Sequence, residues 1–282
     1  MQNHEPIYSP DATWVDKKKV KLFVATPVHS DVSIHYMQSV FKLHAKCNEN
    51  KIPIMLQLMK SSLVTQGRNL CVSYFLNTDF THMLFIDSDI LFEADSIFKM
   101  IEKDQDVLSI PYPMKVIHWD KVMMKWKDIP TMNYKQASTS GNTFPVRIKG
   151  DENDIDVENE MIELSHSMTG CMLLKREALE KMIKAYPDLT IKQKTMFDGE
   201  HVNKNMYNFF DTYYDKKEKL YYGEDFAFSR LWTKIGGKCM ALITEYITHV
   251  GEYQFMGRLV DEMVPAGIDK PEKKEETSYR TI

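Results

Sequence analysis

The segment Thr81–Phe92, THMLFIDSDILF, decides the reading of the fold. Its apolar run His82–Ile86 is too short for a helix and ends directly in Asp87-Ser88-Asp89. A short apolar run after a turn signal, here Asn77-Thr78-Asp79, reads as a buried strand. In an open α/β sheet, ligands bind beyond the C-terminal ends of such strands. The two carboxylates therefore stand where a ligand is expected. If the chain stays extended, Asp87 and Asp89 face the same way and share a divalent ion. Oxygen ligands suit magnesium or manganese, and the sequence does not choose between them. The structural alternative is an Asx turn in which Asp89 caps a backbone amide.

The flanking sequence repeats a strand-helix alternation. Lys21–Pro27, KLFVATP, predicts a strand stopped by proline. Ser30 or Asp31 is placed to cap a helix running to Cys47. Ile54–Leu58 predicts a strand, Gln66–Leu76 a helix, Asp95–Lys103 a helix and Val107–Ile110 a strand. That order indicates an α/β layer with a largely parallel sheet. The pattern breaks over 115–165, which reads as an irregular insertion carrying the acidic run DENDIDVENE at 151–160. That run lacks the register and glycine of an EF-hand and reads as a solvated loop. Beyond it, Ser167–Lys175 predicts a strand, Glu177–Ala185 and Phe226–Lys234 helices, and Met240–His249 strand.

Composition bounds the function. The 282 residues carry 36 Lys+Arg against 40 Asp+Glu, a net charge of −4, with 43% hydrophobic residues. This is globular composition without the basic footprint of a nucleic-acid binder. No apolar run approaches the roughly 20 residues of a membrane helix, and the first residues lack a signal-peptide core. A cytoplasmic protein is expected, with attachment to a membrane surface left to a partner. The four cysteines are too scattered for a disulfide scaffold or zinc ribbon, and read as buried thiols. The expected organisation is a polar arm at 1–19, one domain at 20–262 and a charged tail at 263–282. Homo-oligomerisation is left open.

Further motifs complete the set. Thr169-Gly170 lies in SMTGCMLLK, Gly223-Glu224-Asp225 opens YYGEDFAFSRLWTKIGG, and His249 sits in ITHVG. With LFVATPVH, Arg68 and FIDSD, this ordered series resembles GT-A nucleotide-sugar glycosyltransferases, closest to small family-2-like enzymes of viral or bacterial type. A viral origin would place the protein in an infected host cell. The resemblance covers roughly residues 20–255. It implies a GT-A-like open mixed, mainly parallel sheet with an elaborated acceptor side. It also implies that Ala25, Thr26 and Pro27 border the nucleotide and that Arg68 approaches its base or phosphates. Asp87, Ser88 and Asp89 would bind the donor, with Asp87, Asp89 and His249 around Mn²⁺ or Mg²⁺. Asp225 would act as base, assisted by Glu224. The donor would be a UDP-sugar in preference to a GDP-sugar. The acceptor would be a glycan or other hydroxyl compound, and transfer would invert the anomeric carbon.

Each residue also has a plainer reading. Glu224 and Asp225 suit a helix N-terminus as caps. Arg68 suits a surface ion pair and His249 a loop contact. Gly170 suits either close approach of a sugar or sheet packing. Tyr112, Lys115, Trp119, Thr169 and Tyr222 are candidates for an acceptor or sugar pocket, and Trp126 and Tyr221 share their setting. Two other functions compete. One is a noncatalytic carbohydrate-binding descendant of a transferase. The other is a haloacid-dehalogenase-like phosphohydrolase with Asp87 as nucleophile, which Ile90-Leu91 disfavours. The TPVHSD turn lacks the glycines of a dinucleotide site.

Overall fold

In a computed structural model, residues 19–150, 155–192 and 206–252 are described. The polar arm through residue 18, positions 151–154 of the acidic run and the charged tail lie outside them. The chain divides into a unit ending at Val250 and another from Gly251 to Ile282. Every element below belongs to the first.

The sheet grows from alternation within seven strands. These are β1 (Leu22–Val28), β2 (Ile54–Lys60), β3 (His82–Ile86), β5 (Val107–Ser109), β6 (Met161–Leu164), β7 (Cys171–Lys175) and β10 (Cys239–Leu242). On one face, Leu22, Val24, Leu84, Ile86, Leu108 and Leu173 share a core with α1 (Ile34–Glu49) and α3 (Ala94–Glu102). On the other, Phe23, Ala25, Met83, Phe85, Met172 and Leu174 pack on α2 (Val64–Leu76), α6 (Arg176–Ala185) and α7 (Glu224–Lys234). Neighbouring residues thus serve opposite layers, as the two-residue strand period requires. Helices on both faces bury both sides of β1, β3, β5 and β7, which read as continuous apolar runs, while the edge strand β2 is partly exposed.

The strand order is β2-β1-β3-β7-β5-β10-β6. β1 is parallel to β2 and β3, while β7 opposes both β3 and β5. β10 is parallel to β5, and β6 opposes it. Five strands therefore run one way and β7 and β6 the other. The expected α/β class, with a mixed and mainly parallel sheet between helices, is what the chain forms.

Several local expectations change. Ser33, not Ser30 or Asp31, caps α1 by accepting from the His35 N–H. The stretch expected to be irregular holds α4 (Trp119–Asp128) and α5 (Tyr134–Ser140) as well as β6. α5 opens on a capping box between Asn133 and Gln136. Two short pairs lie outside the main sheet. β4 (Ile90–Leu91) pairs with β11 (Thr248–His249), and β8 (Tyr213–Asp215) with β9 (Leu220–Tyr222). No described helix is long and apolar enough to cross a membrane.

Candidate active site

The site begins where β3 ends. Alternation along β3 sends Met83 and Phe85 toward α2 and α7, and Asp87 continues that series. Its Oδ1 accepts from Arg68 Nη2 at 2.9 Å, while Arg68 Nε donates to Glu224 Oε1 at 3.1 Å. The Arg68 side chain is only 3% exposed, so one buried guanidinium joins the end of β3, the middle of α2 and the start of α7. Burial works against its charge, but the Asp87 and Glu224 carboxylates outweigh this and raise its pKa. Arg68 is a buried bridge rather than a surface ion-pair partner. Its Nη1 is buried without a hydrogen-bond partner.

The chain does not stay extended through Asp89. Ile90 N–H donates to Asp87 O at 3.1 Å, closing a turn over Ser88 and Asp89. That turn separates the two carboxylates by partner. Asp87 faces Arg68, whereas Asp89 Oδ2 takes Lys115 Nζ and lies 3.4 Å from His249 Nε2. Backbone bonds hold the turn from three sides: Asp87 N–H to Gly170 O, Ser33 N–H to Ser88 O and Val250 N–H to Asp89 O. The β4–β11 pairing brings His249 opposite Ile90.

Burial pushes the Asp89 carboxyl up, but contacts from His249 and Lys115 outweigh it and bring it down to about 2. His249 Nδ1 lies 3.0 Å from the Pro113 carbonyl. A carbonyl only accepts, so Nδ1 carries the proton in that contact. A protonated Nε2 donates to Asp89, the contact that lowers that carboxyl, and an Nε2 without its proton offers its lone pair to a cation beside Asp89. A carboxylate oxygen and an imidazole nitrogen at this separation suit two neighbouring ligands of one cation, each reaching roughly 2.0–2.2 Å. Asp89 and His249 therefore fit a divalent metal as a pair. The Oδ1 of Asp87 is instead held by Arg68. Among the described residues, no three His, Cys, Asp or Glu side chains gather as a ligand cluster.

Asp225 occupies the first turn of α7, where Gly223 is the N-cap. Its Oδ1 accepts from Phe226 N–H at 2.8 Å, which holds the carboxylate in place. Burial raises its pKa, with Glu224 adding to the rise and the Phe226 N–H and Arg68 opposing it. Tyr112 borders this group: burial first, then Asp87, raises its pKa, and Asp225 acts in the same sense. The Tyr112 ring lies edge-on to His249 at 5.2 Å. It also explains Gly170. A Cβ there would come within 2.6 Å of the ring, so the glycine makes room for Tyr112.

A cavity of about 400 Å³ opens beside these groups, lined by Pro27, His29, Ser61, Asp87, Ser88 and Asp89 among others. It lies at the C-terminal ends of β1, β2 and β3, as expected for an α/β sheet. Of the three β1 candidates, only Pro27 reaches it. Ala25 is fully buried in the core, and the buried Thr26 hydroxyl bonds Tyr36 at 2.6 Å. Thr169 is also buried. Trp119 is exposed on α4. Tyr222 stacks on Tyr213 at 4.8 Å and tilts against Phe226 at 5.4 Å, beside Asp225 in sequence. His29, Ser61 and Ser62 line the cavity without having been singled out; they follow β1 and β2 directly, and strand ends were the available signal. A larger cavity of about 800 Å³ lies elsewhere, at the loops preceding β5 and β10.

No protein-family model matches the sequence, and no curated protein matches it. Three solved structures are similar in part. A197 from STIV shares 14% identity at a TM-score of 0.42, over 85% of this chain and 98% of that one. A glycosyltransferase involved in glycosylation of the major capsid of PBCV-1 shares 11% identity at 0.29, over 64% and 72%. A Drosophila beta-1,4-galactosyltransferase 7 mutant in complex with manganese, UDP-Gal and xylobiose shares 11% identity at 0.41, over 83% and 72%. Two of the three are named as glycosyltransferases, the family that the sequence motifs resemble; at these scores the functional reading rests on the site's own geometry.

Proposed function

We propose that the chain transfers a sugar from a nucleotide-sugar donor, UDP-linked, to a hydroxyl of a glycan or related acceptor, with inversion. The observation that carries this reading is the convergence at one sheet edge of a cation-competent pair, Asp89 and His249, with a half-buried carboxylate of raised pKa, Asp225. Both flank the buried Arg68 bridge. Charge develops at two places during glycosyl transfer, on the departing diphosphate and on the attacking hydroxyl. The site offers a distinct group for each.

A divalent ion, Mg²⁺ or Mn²⁺, would supply Lewis-acid stabilisation of the diphosphate when bound. Asp89 and His249 would hold it, and the Pro113 carbonyl fixes the His249 ring for that role. Lys115 neutralises Asp89 in the free chain and is placed to meet a donor phosphate. Pro27 and Ser88 line the adjoining cavity, which suits the nucleoside. Asp225 accepts the acceptor hydroxyl's proton as the new glycosidic bond forms. A carboxylate raised by burial is a stronger base than an exposed one, which favours this step. Arg68 positions Glu224, and so the first turn of α7, against Asp87.

The test is a nucleotide-sugar panel with Mg²⁺ or Mn²⁺, read by nucleoside diphosphate release and by the product's anomeric configuration. Asp225→Asn should lower turnover by about 10²–10⁴-fold while retaining donor binding. Asp89→Asn should raise the metal concentration needed for turnover and weaken donor binding together. Unchanged turnover in Asp225→Asn rejects the base, retained configuration rejects direct inversion, and phosphate release from simple esters without a sugar donor favours the hydrolase instead.

A further inference from the structure

The segment between Tyr112 and α5 exposes an apolar surface that none of the groups above uses. In α4, Trp119, Met123 and Trp126 are spaced four and three residues apart, which places them along one face. They are 58%, 60% and 47% exposed. Only Val122 of the ten-residue helix is buried. Met124, Ile129 and Tyr134 of the same stretch are exposed as well. Contiguous exposed apolar patches of this kind mark interaction sites rather than ordinary surface.

The charge of the same stretch selects the occupant. Residues 114–135 contain five lysines and two aspartates, so 5 − 2 = +3, and with Lys115 paired to Asp89 the stretch keeps +2 in a chain whose net charge is −4. Lys125 and Lys127 are exposed and pair with no carboxylate among the described residues. A second copy docked through this face would bring the same positive patch against itself across a two-fold axis, which is unfavourable. An anionic bilayer presents the opposite charge. Tryptophan is the side chain enriched at the level of lipid headgroups, and long lysines keep their ammonium groups there while their stems lie on apolar surface.

We propose that α4 lies on an anionic phospholipid surface, with Trp119, Met123 and Trp126 entering the headgroup-acyl boundary and Lys125 and Lys127 meeting the headgroups. This is direct interfacial binding, distinct from attachment through a partner protein, and it does not depend on the reaction assigned to the site. α4 is too short to span a bilayer, and its burial in the interface is shallow. The same segment carries Pro113 and Lys115, which contact His249 and Asp89, so docking is coupled through the backbone to one wall of the candidate active site.

The experiment is sedimentation of the full chain with phosphatidylcholine vesicles, pure or containing about one-third phosphatidylserine. Tryptophan emission is read in parallel. Binding to the anionic vesicles, weakened by salt and accompanied by a blue shift, is expected. Each lysine near such a surface contributes about a fivefold change in partitioning, so Lys125→Glu with Lys127→Glu should lower it by about 25-fold or more. Met123→Ser with Trp126→Ser should abolish most of the blue shift, while far-ultraviolet circular dichroism stays unchanged because both side chains are exposed. Absence of binding to the anionic vesicles overturns the proposal. So does binding that both double variants retain, or a lipid-free dimer that Met123→Ser with Trp126→Ser dissociates.

Discussion

At the scale of single residues, Arg68 is the group on which the candidate site turns. Nothing in its local sequence, QGRNLC, marks it as buried. Its position follows from two partners far away in sequence, Asp87 and Glu224, at 2.9 and 3.1 Å. Their side chains are 28% and 17% exposed, so water screens the cluster poorly. Removing only the cation leaves two carboxylates close together without compensation. Arg68→Met should therefore destabilise the fold by about 3 kcal/mol, the range found when one partner of a buried pair is lost. Adding Asp87→Asn and Glu224→Gln should recover most of that loss, because the uncompensated charge is then gone. Urea midpoints at constant slope measure both. A single-variant loss under about 0.5 kcal/mol would show that the bridge is not structural.

At the scale of elements, α3 is tied to the turn before β6 and to the loop after β10. Lys99 and Lys103 reach Glu160 at 2.8 and 2.7 Å, and Lys99 also reaches Glu245 at 2.8 Å. Glu160 sits at a φ of 66°, a left-handed position that an ordinary side chain takes only when its surroundings hold it there. Hydrogen bonds from Lys103 and then Lys99 bring its carboxyl from 4.5 to about 2. A depressed carboxylate contributes stability above its unfolded pKa and loses that contribution as pH falls through the folded value. Glu160→Gln should thus melt below the wild type at neutral pH, and the gap should close between about pH 4.5 and 2. Partial exposure keeps the gap small. A gap that persists at pH 2 would assign the effect to the backbone instead. The same region shows what the sequence conceals. β3 was legible to the residue and β1, α2, α3, α6 and α7 to within a few residues, because each buries a face; β2 was legible as a short apolar run although it is partly exposed. α4 buries only Val122 and shows no inward stripe, so its helix was invisible in the pattern. β4, β8, β9 and β11 are two or three residues long, defined by a partner strand rather than by their own composition. At the site, the acids and His249 were legible as chemistry. The split of Asp87 from Asp89 was not, since it depends on a turn and on Arg68.

At the scale of the whole molecule, the two packed layers share one sheet, so neither has an independent boundary within the residues through Val250. Alternate residues of β1, β3 and β7 belong to the layer on either side, and a strand cannot leave one without leaving the other. The cysteines sample this arrangement evenly. Cys47 and Cys171 lie in the layer with α1 and α3, Cys71 and Cys239 in the layer with α2, α6 and α7. All four are buried and free, as their scatter in the sequence suggested. Burial pushes the Cys47 and Cys239 thiols up to about 11 and those of Cys71 and Cys171 up to about 12. Since the thiolate is the nucleophile, native labelling at pH 8 is suppressed twice, by access and by protonation. Labelling should then require opening of the core, and all four thiols should appear together across a urea transition rather than in pairs. Mass spectrometry after brief labelling at each urea concentration reads the number modified per molecule. Populations dominated by zero and four labels support a single cooperative unit through both layers. A plateau of molecules carrying two labels, on Cys71 and Cys239 or on Cys47 and Cys171, would mean that one layer opens while the other holds.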